Sequence, residues 1–331
     1  MTLAVGRLTS VAVIVRWGSD ELGPLLGELG IERALLVTSE RFAGLDLPVR
    51  ERFTGVRRHA PLETVSAAMD AAAGADGLVG LGGGSAIDTT KAVSAATGLR
   101  AVAVPTTYAG AEWTGFYGMR DATRRRKTGG GGAHVVGVVY EPRLTLDLPR
   151  DETVGTALNA LAHAAEALYP GPSEDASRGA QLIGAHLPRV AADGHDLDAR
   201  ARLLEGAMHA GRALGERGLF LGHAMAQALG GRYGLPHGAL NALTLPPALR
   251  FNEPVVPGAI AELGRALDTE DPAGRVEELA ALGGFGTLRD LGVPADDLPE
   301  VATEIAARPG ARANPRAASP EEIEELLRAI W

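Results

Sequence analysis

In the first 150 residues of the chain, short uninterrupted apolar runs alternate with helix-like segments, a pattern that few folds accommodate. Residues 11–15 read VAVIV, 34–38 ALLVT, 77–80 GLVG and 101–104 AVAV. Between them, residues 21–29, the segment from Thr64 onward and residues 86–96 have helical composition. Strands that are apolar on both faces must be covered on both, so this alternation implies a parallel sheet with helices on either side. From about Asp151 strand runs disappear, and alanine- and leucine-rich helical stretches such as 156–168 and 199–214 take over. We therefore expect an α/β, Rossmann-like domain over residues 1–150 and an all-α substrate domain over 151–331. A chain of 331 residues is long enough for two cores. The boundary near Pro149 is where a small-molecule site tends to lie.

One turn in the first half has the form of a phosphate cradle. Gly82-Gly83-Gly84-Ser85 follows an apolar strand and opens a helix. Glycines let backbone N–H groups approach a pyrophosphate, and the helix N-terminus adds partial positive charge. Asp88 follows at the helix start, where it either contacts a cofactor or complements the helix dipole. Thr106 and Thr107 end the next strand, beside the same crevice. Ser39 follows ALLVT, at the place where a carboxylate would hold an adenosine 2′-hydroxyl, and Arg41 lies two residues on. Without that carboxylate, both NADH and NADPH are expected cofactors.

The second half places Asn159 and His163 four residues apart on one helix face, and His223 and Gln227 repeat the spacing. His237 follows Pro236. Three imidazoles and an amide then stand where a metal site would need a carboxylate to offset the cation. The remaining histidines, His59, His134, His186, His195 and His209, are read as packing or surface residues.

Composition narrows the function classes. A net charge of −9 argues against nucleic acid and anionic membranes as partners, so an anionic substrate requires a local basic pocket. The absence of cysteine excludes disulfides, thiolate metal sites and cysteine nucleophiles. No apolar run reaches the roughly 18 to 20 residues of a membrane span, and the N-terminus lacks a signal-peptide pattern, so the cytoplasm is the expected location.

The stretches GGGSAIDTTKA (82–92), VPTTYAGAEWT (104–114), VVYEPRLTLDLP (138–149), LNALAHAAEALY (158–169), GHAMAQALGGRYGLPHG (222–238) and NPRAASPEEIEELLRAIW (314–331) resemble the iron-containing alcohol dehydrogenase superfamily. Within it, the chain is most similar to the maleylacetate reductases. The resemblance implies a dehydroquinate synthase-like fold, a nicotinamide cofactor, an interdomain active site and a homodimer joined through N-terminal strands. In the metal-dependent branch, the positions of Asn159, His163, His223 and His237 hold an Asp and three His that bind a divalent cation. The reductase branch carries Asn at the first position and works without metal, which is the expectation here; any metal would sit on those four residues. Two departures stand out: Gln227 replaces a family histidine, and Ala86-Ile87-Asp88 is closer to the alcohol dehydrogenases than the reductases' Thr-Thr-Gly.

The implied reaction, maleylacetate to 3-oxoadipate in the degradation of aromatic compounds, delivers hydride to a C=C bond conjugated with a ketone. His163, His223 and His237 then face the developing negative charge, one of them as a protonated donor. Lys127, in the RRRKT loop, clamps a carboxylate of this small-molecule substrate. The Gly129 to Gly132 run lets that loop close over substrate. Trp113, Phe116 and Tyr117 either wall the pocket or belong to the core. The alternatives are a metal-dependent or metal-independent alcohol dehydrogenase or aldehyde or ketone reductase of the same superfamily, a sugar-phosphate lyase, disfavoured because Lys91 and Lys127 are the only lysines, and a non-catalytic dinucleotide-binding protein.

Overall fold

The computed structural model describes residues 13–121, 123–124 and 126–331. Its first half is a six-stranded parallel sheet, β1 (Ile14–Trp17), β2 (Ala34–Val37), β3 (Glu51–Phe53), β4 (Gly77–Gly82), β5 (Arg100–Pro105) and β8 (His134–Tyr140), in the order β1-β8-β5-β4-β2-β3. Helices α1 (Leu22–Glu28), α2 (Leu62–Ala71) and α3 (Gly84–Thr97) cover it. On one face Leu22, Leu25 and Leu26 pack against Leu36, Val79, Val102 and Val139; on the other Ala68 and Val93 pack against Leu35, Val37 and Leu78. The strands are apolar throughout because both faces are covered.

Of the first expected strand, the described residues show Ile14 and Val15, and the strand runs on to Trp17. Ile14–Trp17 pairs in parallel with Gly137–Tyr140, bringing Arg16 into the strand, where it reaches Glu28 at 2.9 Å. An edge strand tolerates that charge. Val11 and Ala12 of that expected strand, Ala122 and Arg125 lie outside the described residues.

A second correction concerns the basic, glycine-rich segment expected to be a loop. It is the second strand of an antiparallel hairpin, β6 (Tyr117–Asp121) with β7 (Arg126–Gly130), in which Lys127 lies opposite Arg120 and Gly129 opposite Gly118. Polar, glycine-rich strands carry no alternation of hydropathy to betray them.

After Pro149 the chain is helical: α4 (Arg150–Ala167), α5 (Glu174–Ala192), α6 (Leu197–Arg217), α7 (Leu221–Tyr233), α8 (His237–Asn252), then α9 (Pro257–Leu267), α10 (Pro272–Ala281), α11 (Leu298–Ala306), α12 (Pro309–Arg312) and α13 (Pro320–Ala329). Helix α4 is the hub, buried along nearly its whole length and packed on α5, α6 and α8. It meets α8 backbone to backbone, since a Cβ on Gly238 would lie 2.4 Å from the carbonyl of Gly155. Only glycine permits that approach, and it sets the helix separation for the site one turn further along. No helix among the described residues is long and apolar enough to cross a membrane.

Candidate active site

The glycine turn joins β4 to α3. Gly82 sits at φ +143°, a backbone that side chains rarely adopt, and a Cβ on Gly83 would lie 2.9 Å from Thr107 Cγ2. Gly83 is the N-cap of α3 and no side chain caps it, so the first turn presents bare N–H groups. The Thr106 N–H donates to Gly82 O at 3.0 Å, which ties the end of β5 to the turn. Ser39 follows β2, whose end is held to β4 by Thr38 Oγ1 donating to Leu81 O at 2.8 Å. Ser39, Gly82, Gly83, Gly84, Ser85, Thr106 and Thr107 therefore sit at the C-terminal edge of adjacent strands, where such sheets bind ligands.

Two neighbouring charges are already occupied. Asp88 pairs with Lys91 at 2.9 Å and accepts from Gly118 N at 3.2 Å. Lys91, fully buried, also donates to Ala111 O at 2.7 Å and pins the following loop. Arg41, two residues after Ser39, lies over Phe42 and 3.8 Å from the exposed Asp147.

Across the cleft the structure gathers Asn159, His163, His223 and His237. His163 stacks on His223 with ring centroids 4.8 Å apart, and His237 lies 6.0 Å from His223. Asn159 is held on every side: Oδ1 accepts from Asn241 Nδ2 at 2.6 Å, and Nδ2 donates to Ala109 O at 2.9 Å and lies 3.5 Å from His163 Nε2. The other ring nitrogen of His163, Nδ1, is buried without a partner. Among the described residues no three His, Cys, Asp or Glu side chains converge as a metal site.

The sequence suggested imidazoles without an acidic companion; the structure supplies one, set back from the cleft. Glu166, fully buried on α4, accepts from Phe220 N at 2.7 Å and His223 N at 3.2 Å, capping α7, and its Oε2 lies 2.8 Å from His223 Nδ1. The carboxylate orients the ring through Nδ1, and Nε2 is buried without a partner.

The expected protonated donor is not found at two of the three histidines. Burial, then His223 and Lys91, hold His163 well below the ordinary imidazole range. Burial, then Lys127 and the neighbouring imidazoles, do the same for His237. His237 is also the first residue of α8, where the positive helix end disfavours a cation. Both are neutral at pH 7. Lys127, half-buried on β7, is pushed down to about 8, chiefly by burial.

His59, assigned from sequence to packing, bridges the two walls instead. Its N–H donates to Ser85 Oγ at 2.9 Å and its Nε2 donates to Gly234 O at 3.2 Å. His59 and Ala60 sit at φ 65° and 44°, which costs on the order of 1–3 kcal/mol per non-glycine residue. The aromatic wall does not form: Trp113 Nε1 bonds Tyr140 OH at 2.8 Å within the core, Phe116 is exposed, and Tyr117 packs its ring beside Gly130. Gln227 follows His223 by one turn on α7 and is half-buried.

Residues 12–137 match the family described as iron-containing alcohol dehydrogenase, and residues 153–331 match the Fe-containing alcohol dehydrogenase family, C-terminal. The chain is 36% identical to a maleylacetate reductase of Pseudomonas knackmussii, over 96% of this chain and 95% of that one. It is 38% identical to the maleylacetate reductase of Sphingobium indicum, over 83% and 80%. The crystal structure of maleylacetate reductase from Rhizobium sp. strain MTP-10005 superposes with a TM-score of 0.88 at 32% identity, covering 96% of each chain.

Proposed function

The chain belongs to the iron-containing alcohol dehydrogenase family of nicotinamide-dependent oxidoreductases, and we propose that it reduces maleylacetate to 3-oxoadipate with NADH or NADPH and without a metal. The observation that carries this reading is the state of Asn159. Its amide oxygen is taken by Asn241 at 2.6 Å, and the position offers no negative charge. A divalent cation would have to displace that bond and find only neutral donors, so the residues do not fit the metal of the family's name.

The glycine turn, Thr106, Thr107 and Ser39 suit a dinucleotide: the bare N-terminus of α3 takes the pyrophosphate and the threonines stand at the mouth. A bound dihydronicotinamide supplies the hydride. Asp88, committed to Lys91, positions that wall of the cleft rather than touching the cofactor.

Reduction of a conjugated ketone places negative charge on the carbonyl oxygen. His163 and His237, neutral and each with a partnerless Nδ1, supply polar imidazoles there without the repulsion a second cation would bring. His223, oriented by Glu166 through Nδ1, presents its partnerless Nε2. Lys127 carries the cation that faces a substrate carboxylate, and with a pKa of about 8 it can also release a proton near neutrality. These groups form a basic pocket in a chain of net charge −9.

The test is oxidation of NADH and NADPH with maleylacetate beside a panel of small aldehydes and ketones. Turnover of maleylacetate far above the panel is expected. Preference for a neutral aldehyde would overturn the substrate assignment.

A further inference from the structure

We propose that Arg120, acting with Lys127 across the β6–β7 hairpin, forms a clamp for a carboxylate of the substrate and so sets the preference for acidic substrates. The proposal rests on the reading above that the substrate bears carboxylates, and it assigns the recognition to a residue outside the histidine cluster.

Arg120 and Lys127 are directly opposed in the antiparallel register, so their side chains leave the hairpin on the same face. Like charges at such a position destabilise a strand pair. Neither side chain forms an ion pair with any described carboxylate, although the chain holds 41 acidic against 32 basic residues. The adjacent Asp121 points to the other face, where it accepts from Arg124 N at 2.9 Å. Asp88, the acid whose charge reaches Lys127, is already committed to Lys91. Arg308, a third nearby cation, is neutralised by Glu304 at 2.9 Å. Two cations on one face therefore remain uncompensated, and an anion is what would relieve them.

The place is built for the guanidinium. A Cβ on Gly234 would lie 3.0 Å from Arg120 Nη2 and 3.1 Å from Cζ, so the glycine, at φ +71°, keeps that space open. Arg120 Nε is buried without a partner. Gly234 O holds His59, and His237 follows three residues on. Electrostatically, Lys127 acts on both imidazoles, and Arg120 on His59. A planar guanidinium matches a carboxylate with two parallel hydrogen bonds, and a facing ammonium adds charge. A dinucleotide phosphate would offer similar oxygens, but the bare N-terminus of α3 already serves that group, so the clamp is assigned to the substrate.

The test compares wild-type enzyme with Arg120→Met, Arg120→Lys and Lys127→Met. Three quantities are measured: kcat/KM for maleylacetate and for its neutral dimethyl ester, the Kd of NADH by fluorescence, and the Kd of succinate by calorimetry. Loss of one charged hydrogen-bonding group corresponds to about 10- to 100-fold. Arg120→Met should raise KM for the diacid and Kd for succinate by about that factor, leaving the ester and NADH unchanged, with Arg120→Lys in between. Equal losses for diacid and ester, or unchanged succinate binding, would overturn the clamp, and weakened NADH binding would move the anion to the cofactor. If wild type fails to turn over maleylacetate, the functional reading fails, while succinate binding still decides the clamp. Should Arg120→Met not fold, Arg120→Lys carries the same comparison.

Discussion

Asn241 on α8 donates from Nδ2 to Asn159 Oδ1 on α4 across 2.6 Å, one turn from the point where Gly238 and Gly155 bring the two helices into contact. That bond fixes which way the Asn159 amide faces and removes its oxygen from the cleft. Asn159→Asp keeps the shape and adds the missing charge beside three imidazoles. The variant should bind Zn²⁺ at least about tenfold more tightly than the native enzyme, because a carboxylate supplies the charge balance a cation needs. Equal affinities by calorimetric titration would show that Asn159 does not control metal content.

His237 has a partnerless Nδ1 and opens α8 at the edge of the cluster. His237→Ala should lower kcat by about 10²- to 10³-fold, the usual cost of one donor to a developing oxyanion. NADH affinity should stay within about twofold, since the glycine turn lies on the opposite wall. Stopped-flow turnover beside a fluorescence titration reads both; near-normal kcat would remove His237 from the chemistry.

Glu166 acts through His223. Glu166→Gln keeps the volume, but its amide can donate where the carboxylate only accepts, so the His223 tautomer is released. We expect kcat to fall about 10- to 100-fold with KM for NADH unchanged. Nitrogen NMR of the labelled imidazole should show the loss of a single tautomer. An unchanged spectrum with lowered stability alone would leave Glu166 as a helix cap only.

The pH dependence has two arms. His163 and His237 are held well below the unfolded value of about 6.5, so below that pH the unfolded chain binds more protons and stability falls with acid. Tm should drop between pH 6.5 and 5, and less steeply in a variant with both histidines replaced by Gln. Lys127 loses its charge as pH rises through about 8, so kcat/KM for the diacid should fall above that point. A flat alkaline limb, or one that survives in Lys127→Met, would contradict its role.

Much of this site could be read along the chain. The glycine turn announced itself because a strand, three glycines and a helix start are contiguous, and Asn159 with His163 because helix periodicity places them on one face. Asn241, Glu166 and His59 left no such trace. Each acquires its role through a contact with a distant segment: Asn241 across 82 positions, Glu166 across 57 and His59 across 175 to Gly234. Those contacts depend on helix crossings and on a left-handed backbone that no local pattern encodes. The hairpin was hidden for another reason, since its strands are charged and glycine-rich and so lack alternation. The same long-range packing explains why two histidines expected to include a cation are neutral: burial decides, and burial is a property of the fold.

The account rests most directly on turnover of maleylacetate by enzyme stripped of metal. After exhaustive chelation and metal analysis, NADH oxidation should retain its full rate, with 3-oxoadipate identified by NMR as the product. Loss of activity that returns on adding Fe²⁺ or Zn²⁺ would contradict the account.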